Sequence, residues 1–413
     1  MKVLIVTPHV FAGGAEKAAL SLAYHLNTMG CDTSIAALSA DLDKLPPHLA
    51  ELDYVLPEKP LEPPIMDGVG TALRSTLKVF YSLVRLIRRC SDGFDILNAC
   101  NFPSYWATYF AKTGKPVVWT CSEVLGPYNQ TKDVYDKSRF FRLALGLAKT
   151  IDKRVVERGV EPIVTCSELN SRLIKERYGR DSVVIHTGVD YDFFSAEVPD
   201  ARARLELGDG PLLLHVGALI QRKNHILSIR ALKLLKQHFG RAKLAIVGEG
   251  PWESILREEV KKLRLDEDVI FMGSVSEDEL RSLYRACDVS LFPVKDQTWG
   301  LVPFEALAAG KPSIVAEGCG AAEIMCREKM GFLINPSVED LVSAVIFTLK
   351  YPGFVEDMVK RGRKFVRENL TWETYAREMY GVFRDVLDPA QKYLFQTDVC
   401  THHSNTHTLK CEF

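Results

Sequence analysis

The segment Gln297–Pro312 reads QTWGLVPFEALAAGKP, and it holds the residue types best suited to chemistry. An apolar run, Val289–Phe292, feeds a loop, and Pro303 stands where a helix can open without losing a hydrogen bond. The backbone N–H groups of Gly300, Leu301 and Val302 would then point outward at a helix N-terminus, where aligned peptide dipoles favour an anion or sugar hydroxyls. Glu305 falls in the first turn of that helix, either as a ligand-binding acid or as an acid that stabilises the dipole. A second cluster lies in His215–Asn224, HVGALIQRKN, where the cations Arg222 and Lys223 follow Gly217 between a strand pattern and a helix pattern. Adjacent cations there suit a phosphate, or they are surface charge. The third is Gly13-Gly14-Ala15-Glu16 at the start of the first helical pattern. Its paired glycines either make a tight turn or let the backbone approach a phosphate or sugar closely.

These residues sit on a repeating pattern of strand, Gly-rich turn and helix. Lys2–Val6 is a short apolar strand, and Ala15–Gly30 carries apolar residues at helical spacing. Thr33–Leu38, Asp95–Leu97, Pro116–Thr120, Pro162–Thr165 and Val183–Ile185 read as further strands, and Pro-rich Asp53–Gly68 reads as a loop. The rhythm restarts with a strand at Leu212–Val216 and a helix at Asn224–Phe239. Strands are expected at Lys243–Val247, Val269–Phe271, Val289–Phe292, Ser313–Val315 and Phe332–Ile334. Such alternation means βαβ units and parallel sheets, an α/β fold with two doubly wound Rossmann-like domains. The expected boundaries are 1–192 and 193–370, with a helix over 371–388 packing back on the first domain and a disordered tail over 389–413. Ligands bind beyond the carboxyl ends of the strands in such sheets, so a cleft between the two domains is the expected site.

The Gln297–Pro312 segment resembles the signature of the retaining GT-B glycosyltransferases of family 4, E-x7-E with a G-L-x-P-x-E-A-x-A-x-G-x-P core. The resemblance implies that Glu305, the second acid, holds the ribose of a nucleotide, and that Gln297 and the following amides hold the donor sugar. Gln297 stands where the first Glu is usual, and Asp296 is its neighbour. HVGALIQRKN resembles the family's G-R-L-x-x-x-K-G segment, whose Arg and Lys neutralise the donor diphosphate. Lys223 matches the Lys, Ala218 occupies the Arg position, and Arg222 is adjacent. Gly13-Gly14 resembles the family's GGxE loop. The stretches holding Glu249-Gly250 and Ser274-Val275 resemble those around the base and diphosphate. Pro116–Glu123 reads PVVWTCSE, so Ser122 takes the place of a His usual near the reacting sugar, and Glu123 follows. Both are candidates to face the acceptor.

The resemblance implies transfer of a hexose from a nucleoside-diphosphate sugar, with GDP or UDP as the nucleotide, to a glycan or lipid-linked acceptor. The configuration at the transferred carbon is retained, and cations rather than a metal ion neutralise the diphosphate. No cofactor and no metal site are expected. Two other functions fit the same fold: a sugar-nucleotide-binding protein with weak or no transfer, and a nucleotide-sugar epimerase.

Composition is compatible with this. The chain has 413 residues, 47% hydrophobic and 25% charged, and its 52 Lys+Arg against 53 Asp+Glu give a net charge of −1. That balance excludes a dedicated nucleic-acid binder, which needs a basic excess to neutralise phosphates. No signal-peptide pattern and no run of about 18 apolar residues appear, so a cytoplasmic protein is expected. The ten cysteines form no C-x-x-C pair and are expected to be reduced. Residues 72–90 form an amphipathic pattern whose charged residues are all basic: Arg74, Lys78, Arg85, Arg88 and Arg89. Such a helix packs on the sheet or lies on the cytoplasmic face of an anionic membrane. The tail residues Cys400, His402, His403, His407 and Cys411 carry soft ligands on an unpatterned polar terminus.

Overall fold

The computed structural model describes residues 1–11, 13–61, 69–124, 139–199, 201–204 and 209–388. The Cys/His tail lies outside them. The chain divides into two compact units, Met1–Thr187 joined by the segment from Trp372, and Gly188–Thr371.

The first unit is built on a seven-stranded parallel sheet in the order β3-β2-β1-β4-β5-β6-β7. Its strands are β1 Lys2–Val6, β2 Asp32–Ala36, β3 Asp53–Val55, β4 Ile96–Cys100, β5 Val117–Cys121, β6 Ile163–Thr165 and β7 Val183–Val184. The sheet of the second unit has six parallel strands in the order β10-β9-β8-β11-β12-β13. They are β8 Leu212–Val216, β9 Lys243–Val247, β10 Val269–Gly273, β11 Val289–Phe292, β12 Ser313–Ala316 and β13 Phe332–Ile334. Central strands are buried on both faces: every residue of β4, β11 and β12 is buried, Asn98, Ser290 and Ser313 included.

Asp53–Val55, read from the sequence as the start of a loop, is an edge strand. Its backbone pairs with β2, placing Ser34 opposite Asp53, and the Ser34 hydroxyl bonds the Asp53 carboxylate. The helix Val69–Cys90 packs its apolar face into the core: Val79, Leu83, Val84, Leu86 and Ile87 join Leu4, Val6 and Leu97. Of the basic residues, Arg88 donates to the carbonyls of Ala111 and Phe110, and Arg89 to that of Leu56. Leu77 and Tyr81 stay exposed beside Arg74, Lys78 and Arg85. No helix among the described residues is long and apolar enough to cross a membrane.

A second core of this unit surrounds Trp119, which stacks on Tyr105. Asp152 is buried there and accepts hydrogen bonds from Tyr105 Oη, Trp106 Nε1 and Tyr178 Oη, so its charge is satisfied within the core. The C-terminal helix Trp372–Leu387 packs on the helix Gly14–Thr28. Cys31, Cys90, Cys100, Cys121, Cys166, Cys287 and Cys319 are free thiols. Cys326 departs from the expectation of reduced thiols throughout, being disulfide-bonded.

Candidate active site

Both sheets reverse strand order at one point, between β1 and β4 in the first unit and between β8 and β11 in the second. Adjacent loops diverge at such a point and leave a crevice beyond the carboxyl ends of the strands. In the second unit Lys223 follows β8 and Gln297 follows β11, and the two meet across that crevice. Lys223 Nζ donates to Gln297 Oε1 at 2.6 Å.

The local chain explains the meeting. Gln221–Lys223 is a single 3-10 turn, ended by Asn224 in the left-handed region at φ 57°, ψ 35°. Asn tolerates that conformation better than most residues, and here its Nδ2 also donates to the Pro293 carbonyl at 3.1 Å. The Lys223 stem runs along Gly217, and its ammonium lies 5.7 Å from the centre of the Phe292 ring. On the opposite loop, Asp296 is left-handed at φ 58°, and the Gln297 carbonyl accepts from Gly320 N at 2.9 Å. Gln297 is therefore the residue that meets Lys223, while Asp296 is exposed. Arg222 is exposed as well.

Glu305 sits in the first turn of the helix Val302–Ala308, and only 8% of its surface is accessible. Tyr284 Oη donates to Glu305 Oε2 at 2.8 Å. Burial first, then the Glu305 charge and this bond, push the Tyr284 hydroxyl well above its ordinary range, so it remains a donor. Gly300 admits no side chain, because a Cβ there would stand 2.7 Å from Phe292 Cζ. Glu249 and Gly250 follow β9, and Ser274 and Val275 follow β10. Ser274 N donates to Glu249 Oε1 at 3.2 Å.

Beneath Lys223 lie two histidines. His215, on β8, and His225, first residue of the helix His225–His238, are buried and stacked at 3.9 Å and 16°. His215 Nδ1 pairs with Ser228 Oγ at 2.9 Å. Both rings are held below the ordinary histidine range, His225 at about 4. Burial is the main cause for each, and the Lys223 charge adds to it. Both are neutral at neutral pH, so Lys223 supplies the positive charge.

In the first unit the glycine loop lies beyond β1 and opens the helix Gly14–Thr28. The Glu16 side chain folds back over Gly13, where a Cβ would collide with its carboxylate, and the Phe11 ring flanks the other side. Burial first, then the Glu123 charge, raises the Glu16 carboxyl. Ser122 N donates to Asn101 Oδ1 at 3.0 Å, and the Ser122 carbonyl accepts from Cys166 Sγ at 3.4 Å. Ser122 and Glu123 thus follow β5 in the unit that holds Gly13 and Gly14, and the candidate residues from Gly217 to Glu305 belong to the second unit.

Sequence reading missed Tyr284, Phe292 and the histidine pair. Tyr284 stands in RSLYRACDVSLF, where its ring reads only as core. His215 and His225 bracket the flagged turn, which was the one available signal.

Residues 12–193 match the family described as Glycosyltransferase Family 4, and residues 198–365 match Glycosyl transferases group 1. Together the two matches run from residue 12 to residue 365. It is 33% identical over 182 residues to an uncharacterised glycosyltransferase of Methanocaldococcus jannaschii, covering 44% of this chain and 46% of that one. It is 29% identical over 244 residues to a GDP-mannose-dependent alpha-(1-6)-phosphatidylinositol monomannoside mannosyltransferase of Mycolicibacterium smegmatis, covering 56% and 63%. The matches span between 36% and 63% of the first three curated relatives. Among solved structures, Anabaena HepE in complex with UDP-glucose superposes with a TM-score of 0.75 at 16% identity, over 93% of this chain and all of that one. The two parallel-sheet Rossmann-like units share the fold of GT-B glycosyltransferase structures.

Proposed function

We propose that this chain transfers a hexose from a nucleoside-diphosphate sugar to a glycan or lipid-linked acceptor, with retention at the anomeric carbon. The observation that carries the reading is the Lys223–Gln297 contact across the β8/β11 crevice, on the same loop–helix segment as the Tyr284-held Glu305. Lys223 neutralises the diphosphate, with Arg222 as an exposed neighbour, and this charge takes the part of a metal ion. Gly217, Glu249, Gly250, Ser274 and Val275 line the nucleotide side. Glu305 accepts from the ribose hydroxyls, and Gln297 with the amides of Gly300, Leu301 and Val302 faces the sugar. Gly13 and Gly14 contribute backbone to the phosphates or sugar, and Ser122 and Glu123 face the acceptor.

In the reaction the bond from the anomeric carbon to the diphosphate oxygen breaks and its electron pair leaves with the diphosphate. A bond forms from the acceptor oxygen to the same carbon, and the acceptor proton passes to a phosphate oxygen. Lys223 stabilises the charge that grows on the leaving group, the kind of fixed electrostatic contribution that lowers barriers most. The M. smegmatis relative is named for GDP-mannose and the HepE structure holds UDP-glucose, so both nucleotides belong in the test. The exposed Leu77 and Tyr81 among Arg74, Lys78 and Arg85 support peripheral contact with an anionic membrane, which co-sedimentation with anionic vesicles checks.

Incubation with GDP- and UDP-sugars, with and without acceptors, tests the reading through release of nucleoside diphosphate. Acceptor-dependent release is expected. Binding without turnover would favour a sugar-nucleotide-binding protein, the reading that Ala218 at the usual Arg position supports. Donor turnover that needs no acceptor would point to an epimerase.

A further inference from the structure

We infer that the donor sugar presents a hydrogen-bond acceptor, a carboxylate or an acylamino carbonyl, to the Gln297 side-chain amide; the inference rests on the glycosyltransferase reading above. An ammonium group has three donors and no acceptor. Lys223 Nζ, 2.6 Å from the amide, can therefore face only the carbonyl oxygen of Gln297. That bond fixes the amide orientation and turns Nε2, with its two N–H donors, the other way. The main chain cannot rotate to undo this, because the Gln297 carbonyl is held by Gly320 N at 2.9 Å and Asp296 before it is in the left-handed region.

A carboxylate at this position would accept from two sugar hydroxyls and would pair with the Lys223 charge. Gln297 does neither. Its amide leaves the ammonium's charge uncancelled by residue 297 and offers N–H groups beside it. The group that gains most from such surroundings is an anionic acceptor, since charge-assisted hydrogen bonds are roughly twice as strong as neutral ones. A carbonyl comes second. A hydroxyl, whose oxygen is the weaker acceptor and whose proton finds only the second lone pair of Oε1, comes last.

The chemistry leaves two sources, a uronic acid and an N-acylamino sugar, and the experiment separates them. Calorimetry would give dissociation constants for the bare nucleoside diphosphate and for its glucose, glucuronic acid and N-acetylglucosamine conjugates. The series is run on UDP, and on GDP with the corresponding mannose conjugates. Dividing each constant by that of the bare nucleotide isolates the sugar. The expected result is a gain of about tenfold or more for the carboxylate or the acetamido sugar over the neutral hexose, the size of one hydrogen bond to a charged or strongly polar group. Gln297→Glu should remove that gain and bring the neutral hexose level or ahead. Gln297→Met, which removes the donors without adding charge, should flatten the series. A wild type that ranks the neutral hexose first, or a ranking that both variants leave unchanged, overturns the inference while the glycosyltransferase reading stands. Failure of both UDP and GDP to bind defeats that reading and the inference with it.

Discussion

The stacked histidines under Lys223 make the second unit acid-sensitive in a way that can be calculated. An unfolded chain protonates a histidine near its ordinary value of 6.5, whereas His225 in the fold protonates only at about 4, and His215 is also depressed. Below about 6.5 the unfolded state therefore binds protons that the folded state refuses, and stability falls with pH until the folded value is reached. A depression of about 2.5 units in His225 corresponds to about 3 kcal/mol, lost at up to about 1.4 kcal/mol per pH unit, with His215 adding to the loss. Glu16 and Glu378 act in the opposite sense, because their raised carboxyls favour the folded state as pH falls. They are common to wild type and variant, so the difference between the two isolates the histidines. The comparison is wild type against His215→Phe/His225→Leu, which keeps two flat or branched apolar side chains in place of the stack. Urea unfolding followed by circular dichroism, from about pH 7.5 to about pH 4.5, should show wild type losing at least about 2–3 kcal/mol more than the variant. Parallel stability curves for the two proteins would refute the assignment of neutral, buried rings.

Tyr284→Phe removes only the hydroxyl at 2.8 Å from Glu305, so no cavity opens, and stability should fall by about 1.5–3 kcal/mol in thermal or urea unfolding. Glu305→Gln should raise the dissociation constant for the cognate nucleoside diphosphate by roughly tenfold, because a charged bond to the ribose is lost; unchanged affinity by calorimetry would contradict its role. Lys223→Ala should abolish most turnover with the fold intact, and Arg222→Ala, at an exposed position, should cost far less in the same assay of nucleotide release.

The strands were readable where burial on both faces leaves an uninterrupted apolar run, as in Val3 to Val6 of β1 and Leu244 to Val247 of β9. β3 was not, because Asp53-Tyr54-Val55 is short and lies at a sheet edge, and its pairing with β2 is made by backbone groups that every sequence carries. The same distinction governs the site. Lys223, Gln297 and Glu305 stood out through residue type and position after a strand. Their contacts did not, since the sequence has no record of which strands become neighbours at the switch point. Tyr284 was invisible for another reason: its ring does what any core aromatic does, and only the placement of one oxygen against Glu305 gives it a part in the site.

The contact between Lys223 and Gln297 bears on two departures from the glycosyltransferase pattern that look at first like decay. The pattern places an Arg and a Lys near the diphosphate and a Glu near the sugar, a sum of one positive charge. This chain has Ala218, Lys223 and Gln297, and the sum is again one positive charge. The two changes compensate only if residue 297 is close enough to Lys223 for its charge to matter, and the 2.6 Å bond meets that condition. A carboxylate placed there alone would draw Lys223 into an ion pair and take its field from the diphosphate. Gln297→Glu alone should therefore weaken binding of the bare nucleoside diphosphate by roughly tenfold, about the coupling of a partly exposed charge pair. Ala218→Arg alone should strengthen binding, and the double variant should return toward wild type. A calorimetric double-mutant cycle measures this directly. If the two substitutions act independently, the charges at 218 and 297 are not exchanged through the diphosphate site, and the departures from the pattern have separate causes.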